Sequence, residues 1–261
     1  MIRSVLFILS ALLFTSAHAV DVKRFEVLKG IHFFQIEDGV SHLQTNNAYR
    51  FTVQVYADVV GDVLGSSVFT PKIPRIDLLP DKDGDPYRFR DKFDDQFGLE
   101  NNFPNGTYQL GIRGAHDGDH TMSFSVTGDQ YPAAPIVNDY AGLQNLVYNE
   151  YNDISWRPFA GGAVTDFIQL QIEDLNGNNV WETPDFGEDG ALDGTATHTI
   201  LPGGTLAPGV VYVGTIRFVK VLYNSSGAYP GALGTVGYFK RTEFTIRPKA
   251  IGLDPNCPDI H

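Results

Sequence analysis

Cysteine is nearly absent from this 261-residue chain: it has one, Cys257, close to its end. No intrachain disulfide can form, so the fold must stand on its apolar core. In an oxidising compartment a lone thiol pairs between chains or stays an unpaired tail residue. Cations are scarce too. Lys and Arg total 19 against 31 Asp and Glu, a formal charge of −12. That balance repels nucleic acid and anionic lipid and makes both poor partners. Beyond the first residues no apolar run approaches the ~20 residues of a membrane-crossing helix. Long helical periodicity is missing, which excludes helical bundles. Also missing are G-x-S-x-G, H-E-x-x-H, a phosphate-binding loop and G-x-G-x-x-G.

At the start, Arg3 precedes an apolar run from Val5 to Phe14, and Ala17-His18-Ala19 forms an A-x-A site. This order is that of a signal peptide cut before Val20. No cysteine follows the run, so no lipid anchor is expected. Removing Arg3 takes the charge from −12 to −13. The expected destination is the periplasm or the extracellular space, with no transmembrane segment in the mature chain. The lack of disulfides points to a bacterial envelope.

Short alternating runs dominate the rest. Tyr49, Phe51, Val53 and Val55 fall on one face, with Arg50, Thr52 and Gln54 on the other. Residues 106–114 and 121–128 read as two strands joined by AHDGDH, whose Asp-Gly favours a tight reversal. Ile168, Leu170 and Ile172 alternate with Gln169 and Gln171, and Phe244 and Ile246 with Thr245 and Arg247. Residues 140–151 are a short helix or a crossover loop. Strands between Gly, Pro, Asn and Asp clusters predict an all-β chain of two tandem antiparallel β-sandwiches. The expected limits are signal peptide 1–19, an Ig-like sandwich 20–128, linker and first strand 129–137, a second sandwich 138–247, and a loose tail 248–261.

The stretch LPGGTLAPGVVYVGTIRF (201–218) places Leu206, Pro208 and Tyr212 at L-x-P-x-x-x-Y spacing. In a sandwich corner the leucine fills the core, the proline fixes the turn and the tyrosine hydroxyl locks it to upstream backbone. Trp156 in DISWRPF stands where an early strand buries a large aromatic. With Pro135 opening the segment, residues 135–247 resemble the fibronectin type III fold. The resemblance implies a spacer or interaction module and no chemistry. The first half, with NNFPNGTYQLGIRG, carries Tyr108 as a second corner candidate.

Three groups offer metal ligands. Asp185, Glu188, Asp189 and Asp193, among Gly187, Gly190 and Gly194, suit calcium, which takes oxygen ligands in tolerant geometry. The same residues also read as a flexible loop capping its own amides. Asp81, Asp83 and Asp85 lie beside Lys82, Arg88, Arg90 and Lys92, and a solvated, internally paired loop accounts for them better. His116 and His120, with Asp117 and Asp119, have zinc-like chemistry, but i and i+4 align on a helix and this is a hairpin. Trp181, Tyr223 and Tyr229 are candidates for a glycan platform, with core packing as the other reading. No cofactor is required, and calcium is the one metal the loops suggest.

The expectation is an exported, non-catalytic interaction or structural module of a bacterial envelope or secretome, with a protein or glycan partner. A carbohydrate-binding protein is the first alternative and an exported hydrolase the second. N-terminal sequencing of the exported protein is expected to begin at Val20; a product beginning at Met1 removes the leader.

Overall fold

The computed structural model describes residues 20–225 and 229–249. The leader 1–19 and Cys257 lie outside the described residues. In chain order come β1 (Val22–Glu37), β2 (Val40–Leu43), β3 (Tyr49–Ala57), β4 (Val63–Phe69), β5 (Ile76–Pro80) and β6 (Tyr87–Phe93). Then follow α1 (Gln96–Asn102), β7 (Gly106–Gly114), β8 (Asp119–Val126), α2 (Tyr140–Leu143), β9 (Asn152–Ser155), β10 (Phe167–Glu173) and β11 (Asn179–Glu182). The last are β12 (Leu192–Asp193), β13 (His198–Leu201), β14 (Tyr212–Ser225) and β15 (Leu233–Ile246). Among the described residues no helix is long and apolar enough to cross a membrane.

The chain is an all-β sandwich assembly. One sheet runs β11-β10-β14-β15-β1-β3-β6-β5-β4-β7-β8, and a two-stranded sheet pairs β13 with β9. β5 bonds to β6 on one edge and to β4 on the other, so the large sheet turns there and brings β4, β7 and β8 over β1, β3 and β6. The first core fills that space: Phe25, Val27, Phe51, Val53 and Val55 meet Tyr108, Leu110 and Phe124. The second core lies between the small sheet and the β10-β14-β15 face. Ile154, Trp156 and Leu201 pack there against Ile168, Leu170, Ile172, Ile216, Phe244 and Ile246.

The two cores are interwoven instead of following one another along the chain. β1 lies between β3 and β15, and its pairing with β15 is parallel over Arg24–Gln35 and Leu233–Phe244. Tyr229, Ala232, Val236 and Tyr238, from the far end of the chain, complete the first core. Alternation marks strands but does not say which strands pair, so this order was not readable from the sequence. The stretch LYNSSGAYPGALGTV is strand at both ends: β14 runs to Ser225 and β15 starts at Leu233. Of residues 140–151, read as a short helix or a crossover loop, Tyr140–Leu143 are helical.

Both corner tyrosines hold upstream backbone. The Tyr108 hydroxyl donates to Pro104 O at 2.7 Å. The Ala207 N–H donates to the Tyr212 hydroxyl at 2.9 Å, Leu206 is buried and Pro208 is exposed. Trp156 is buried and its Nε1–H donates to Ala196 O at 3.0 Å.

Three strand glycines lie opposite phenylalanines that cover them. Register pairs Phe25 with Gly234, Gly30 with Phe239 and Gly214 with Phe244. A Cβ on Gly30 would sit 2.0 Å from the Phe239 ring, and one on Gly234 2.1 Å from Phe25. A side chain at either position displaces a buried ring, so Gly30→Val or Gly234→Val is expected to cost about 1–3 kcal/mol of overpacking. Gly111→Ala meets nothing closer than Ser67 Oγ at 3.4 Å and is the tolerated control. Urea melts check this; equal midpoints for Gly30→Val and Gly111→Ala would remove the ring cover as a constraint.

Candidate functional site: an arginine-lined basin

Strand periodicity turns every second residue of β1, β3, β6, β10, β14 and β15 away from the cores. These residues are Arg24, Glu26 and His32 from β1, Arg50, Thr52, Gln54 and Tyr56 from β3, and Arg88 and Arg90 from β6. Gln169 and Gln171 of β10, Thr215 and Arg217 of β14, and Arg241 of β15 continue the face. All of these except Glu26, His32, Arg50 and Thr52 line a polar basin of about 450 Å³. It adjoins a recess of about 80 Å³ lined by Arg50, Arg90, Arg217, Arg241 and His32. Among the described residues no carboxylate lines that recess.

Glu26 is the buried anion of this face. Arg217 grips it with Nη1 and Nη2, each at 3.2 Å, and Gln54 Nε2 donates at 3.4 Å. Burial alone would raise its carboxyl; Arg217 and Arg24 outweigh that and hold it below the usual range. Arg90 donates to Gln54 Oε1 at 2.6 Å and Arg217 to Gln169 Oε1 at 2.9 Å. Arg241 Nε donates to His32 Nδ1 at 2.9 Å, which places the His32 proton on Nε2. Burial and the guanidinium of Arg241 push His32 far down, so it stays neutral. Burial also lowers Arg241 to about 10, with Arg50, Arg217 and Arg90 adding like-charge repulsion. Tyr56 is pushed up to about 12 by burial and by Glu26, and the Arg24 guanidinium lies 3.9 Å from its ring centre. The Nε atoms of Arg24, Arg50 and Arg217 are buried without a hydrogen-bond partner among the described residues.

The acidic segment 183–194 lies along this face. Phe186 packs on Phe167 with ring centres 5.3 Å apart, beside Leu28, Val219 and Phe239. Asp185 pairs with Arg24 and accepts from Gln169 Nε2 at 2.9 Å; Glu188 pairs with Lys23 at 2.7 Å. Asp193 accepts from the Thr195 amide and hydroxyl at 2.7 and 2.6 Å. These side chains, read with Asp189 either as calcium ligands or as a loop capping its own amides, have separate protein partners and do not converge. Residues 81–85 are likewise dispersed: Asp81 pairs with Arg88, Asp85 accepts from the Ala57 N–H at 2.8 Å, and Asp83 is exposed.

His116 and His120 do not share a centre either. His120 Nε2 lies 3.0 Å from Asp117 O, and its ring sits 4.7 Å from that of Tyr229. Tyr229 is fully buried in the first core, so it offers no ring face to a sugar; Trp181 is half-buried against the second core, and Tyr223 is exposed. An apolar residue in a glycine-rich stretch looks the same from sequence whether it points in or out.

His116 instead meets Asp21. Its Nδ1 lies 2.7 Å from Asp21 Oδ1 and 3.7 Å from Asp62 Oδ1. The His116 and Asp117 amides each donate to Asp21 Oδ2 at 2.7 Å. Among the described residues, Asp21, Asp62 and His116 are the one trio of metal-ligating side chains whose ligand atoms lie within 4.8 Å of one another. Burial works to raise the Asp21 carboxyl, but the two amides and His116 outweigh it and hold it low. The hydrogen bond that His116 donates to the Asp21 carboxylate, and that carboxylate's charge, raise His116.

Sequence reading missed the basin. Its arginines sit at ordinary polar positions of separate strands, and Arg88 and Arg90 read as local partners of the acidic run. Only the sheet order puts them together.

No family model matches this chain, and no curated protein matches it. Solved structures similar to it include the FN1–FN3 domains of chicken CNTN1, at 11% identity over 87% of this chain and 66% of that one, with a TM-score of 0.26. Murine CEACAM1b is similar at 7% identity over 87% of this chain and 100% of its own, TM-score 0.25. The IG1+IG2 pair of DIP-gamma is similar at 8% identity, covering 82% and 97%, TM-score 0.19. At these scores the similarities carry no argument, and the fold assignment rests on the strand order and cores described above.

The raised His116 and lowered Asp21 give opposite pH dependences. His116's contribution to stability is full below its unfolded pKa and is lost as pH rises through its raised folded value. Asp21's is full above its unfolded value and is lost as pH falls through its lowered folded value. NMR titration is expected to place His116 above ~6.5, and Asp21→Asn to bring it down. A His116 titration indifferent to Asp21→Asn would dissolve the pair.

Proposed function

We propose that this chain is an exported, non-catalytic interaction module of a bacterial envelope or secretome, and that its working surface is the arginine-lined basin. The observation that carries the reading is the basin itself, whose guanidinium, carboxamide and hydroxyl groups stand on paired strands and are oriented by bonds among themselves. Groups held this way are preorganised for a ligand. Of the two partner classes, the basin favours a glycan. Protein interfaces depend on apolar anchors in a dry centre, whereas Gln169, Gln171, Thr215 and Tyr56 offer mixed donors and acceptors suited to hydroxyl groups. His32, held neutral with its Nδ1 occupied, and Tyr56, held protonated, are not poised to move a proton near neutral pH.

One observation favours the hydrolase reading instead. Glu182 lines the basin with Glu173, and burial together with Asp185 pushes its carboxyl up, as a general acid requires. Titrating the mature protein with neutral and acidic polysaccharides, with and without calcium, separates the readings when released reducing ends are measured in the same samples. Saturable binding without release is expected, with Gln171→Ala weakening it about tenfold, or about 1.4 kcal/mol. Release of reducing ends that disappears in Glu182→Gln would make the protein a hydrolase, and absence of saturable binding would remove the glycan.

A further inference from the structure

Within the basin, the small recess differs from its surroundings in charge. Arg24 is matched by Asp185, Arg217 by Glu26, Arg88 by Asp81 and Arg241 by Glu243. Arg50 and Arg90 have no ion pair among the described residues; Arg50 is half-buried, and Arg90 is exposed at the mouth. The Nε–H groups of Arg50 and Arg217 are buried donors without acceptors. A buried donor left unmade costs about 1–3 kcal/mol, and clustered like charges add to the cost. An anion in the recess relieves both, and guanidinium groups receive oxyanions through paired N–H donors.

The face already shows which anion it suits. Each of its best-held internal anions is a carboxylate gripped by one arginine and one glutamine: Glu26 by Arg217 and Gln54, Asp185 by Arg24 and Gln169. The same pair of groups, Arg90 and Gln54, stands at the recess and is bonded to itself at 2.6 Å. Outside the recess the basin presents the amide and hydroxyl groups of Gln169, Gln171, Thr215 and Tyr56 beside the ion-paired Arg24 and Arg88, with Glu173 and Glu182 as further acceptors. One bound anion followed by several hydroxyls is the chemistry of an acidic saccharide.

We propose that recess and basin together bind an acidic saccharide, with a sugar carboxylate seated among Arg50, Arg90, Arg217 and Arg241 and the ring hydroxyls over Gln169, Gln171 and Thr215. This rests on the glycan reading above and narrows it to uronate-bearing chains. The net charge of −12 repels a polyanion from the molecule as a whole. Recognition is therefore local to the recess and favours short segments or chain ends over long, densely charged polymers.

The test uses the mature protein and short oligosaccharides of galacturonate, glucuronate and mannuronate, each beside its carboxyl-reduced counterpart, which keeps the hydroxyls and loses the charge. Calorimetry is expected to show at least one uronate oligomer binding at least tenfold more tightly than its reduced form. Arg50→Gln and Arg90→Gln should each abolish that preference, while Lys82→Gln, in the exposed β5–β6 turn, should preserve it. Melting curves confirm that the variants are folded. Equal affinity for acidic and reduced forms overturns the carboxylate and leaves the glycan reading standing. Sulfate or phosphate binding as tightly as the uronate oligomer, with the same loss in Arg50→Gln, overturns the saccharide and leaves a simple oxyanion site. A uronate preference that survives both arginine changes overturns the location. No saturable binding by any pair overturns the proposal, and the polysaccharide titration still decides the broader reading by itself.

Discussion

The parallel pairing of β1 with β15 organises the rest of the molecule. It joins a strand from the first stretch of the chain to one from the last, so β3 and β6 are added on one side and β14 and β10 on the other. Both cores then form on strands of a single sheet. Its register is set by shape: Phe25 covers Gly234 and Gly30 yields to Phe239. A slip of one residue would place two rings on the wrong faces and turn the arginines inward. The basin exists because this pairing sets Arg241 and Arg217 beside His32 and Glu26, with Arg50 and Arg90 on the next strands.

The basin is also an unusual use of a sheet face. The outer side of an antiparallel sandwich normally meets water, and its polar residues need no partners. Here segment 183–194 lies along it, with Phe186 anchored on Phe167 and Asp185 reaching Arg24. The result is a partly dried layer of charge in which each group must find a counter-charge or an acceptor. Glu26, Asp185 and Glu243 answer for some arginines, and Arg50 and Arg90 are left over. A run of acids that looks like a cation loop thus supplies anions to the protein's own cations.

What the sequence made legible was what depends on neighbours along the chain. Alternation located β3, β7, β8, β10 and β15, and the spacing of Leu206, Pro208 and Tyr212 located a corner whose hydroxyl does take an upstream amide. Tyr108 was readable in the same way. What depends on strands remote in sequence was not legible. Core packing was one reading of Tyr229, but its stretch rich in glycine, serine and proline gave no sign that the core would be that of the first half. Arg50 and Arg241 are separated by most of the chain and become neighbours only through the parallel pair. His116 was singled out as a metal candidate beside His120, whereas its partner Asp21 sits just before β1, where nothing local connects them.

The interweaving also bears on the order in which the molecule is made. The first core, although most of its residues come early, lacks Tyr229, Val236 and Tyr238 until the last strand exists. A growing chain cannot close that core by itself, because β1 has one edge open and an apolar face incompletely covered until β15 arrives. Contacts between such distant segments are slow to form, since a long loop must be closed before they give any stabilisation. The architecture therefore delays closure of the first core until synthesis of the chain is nearly complete.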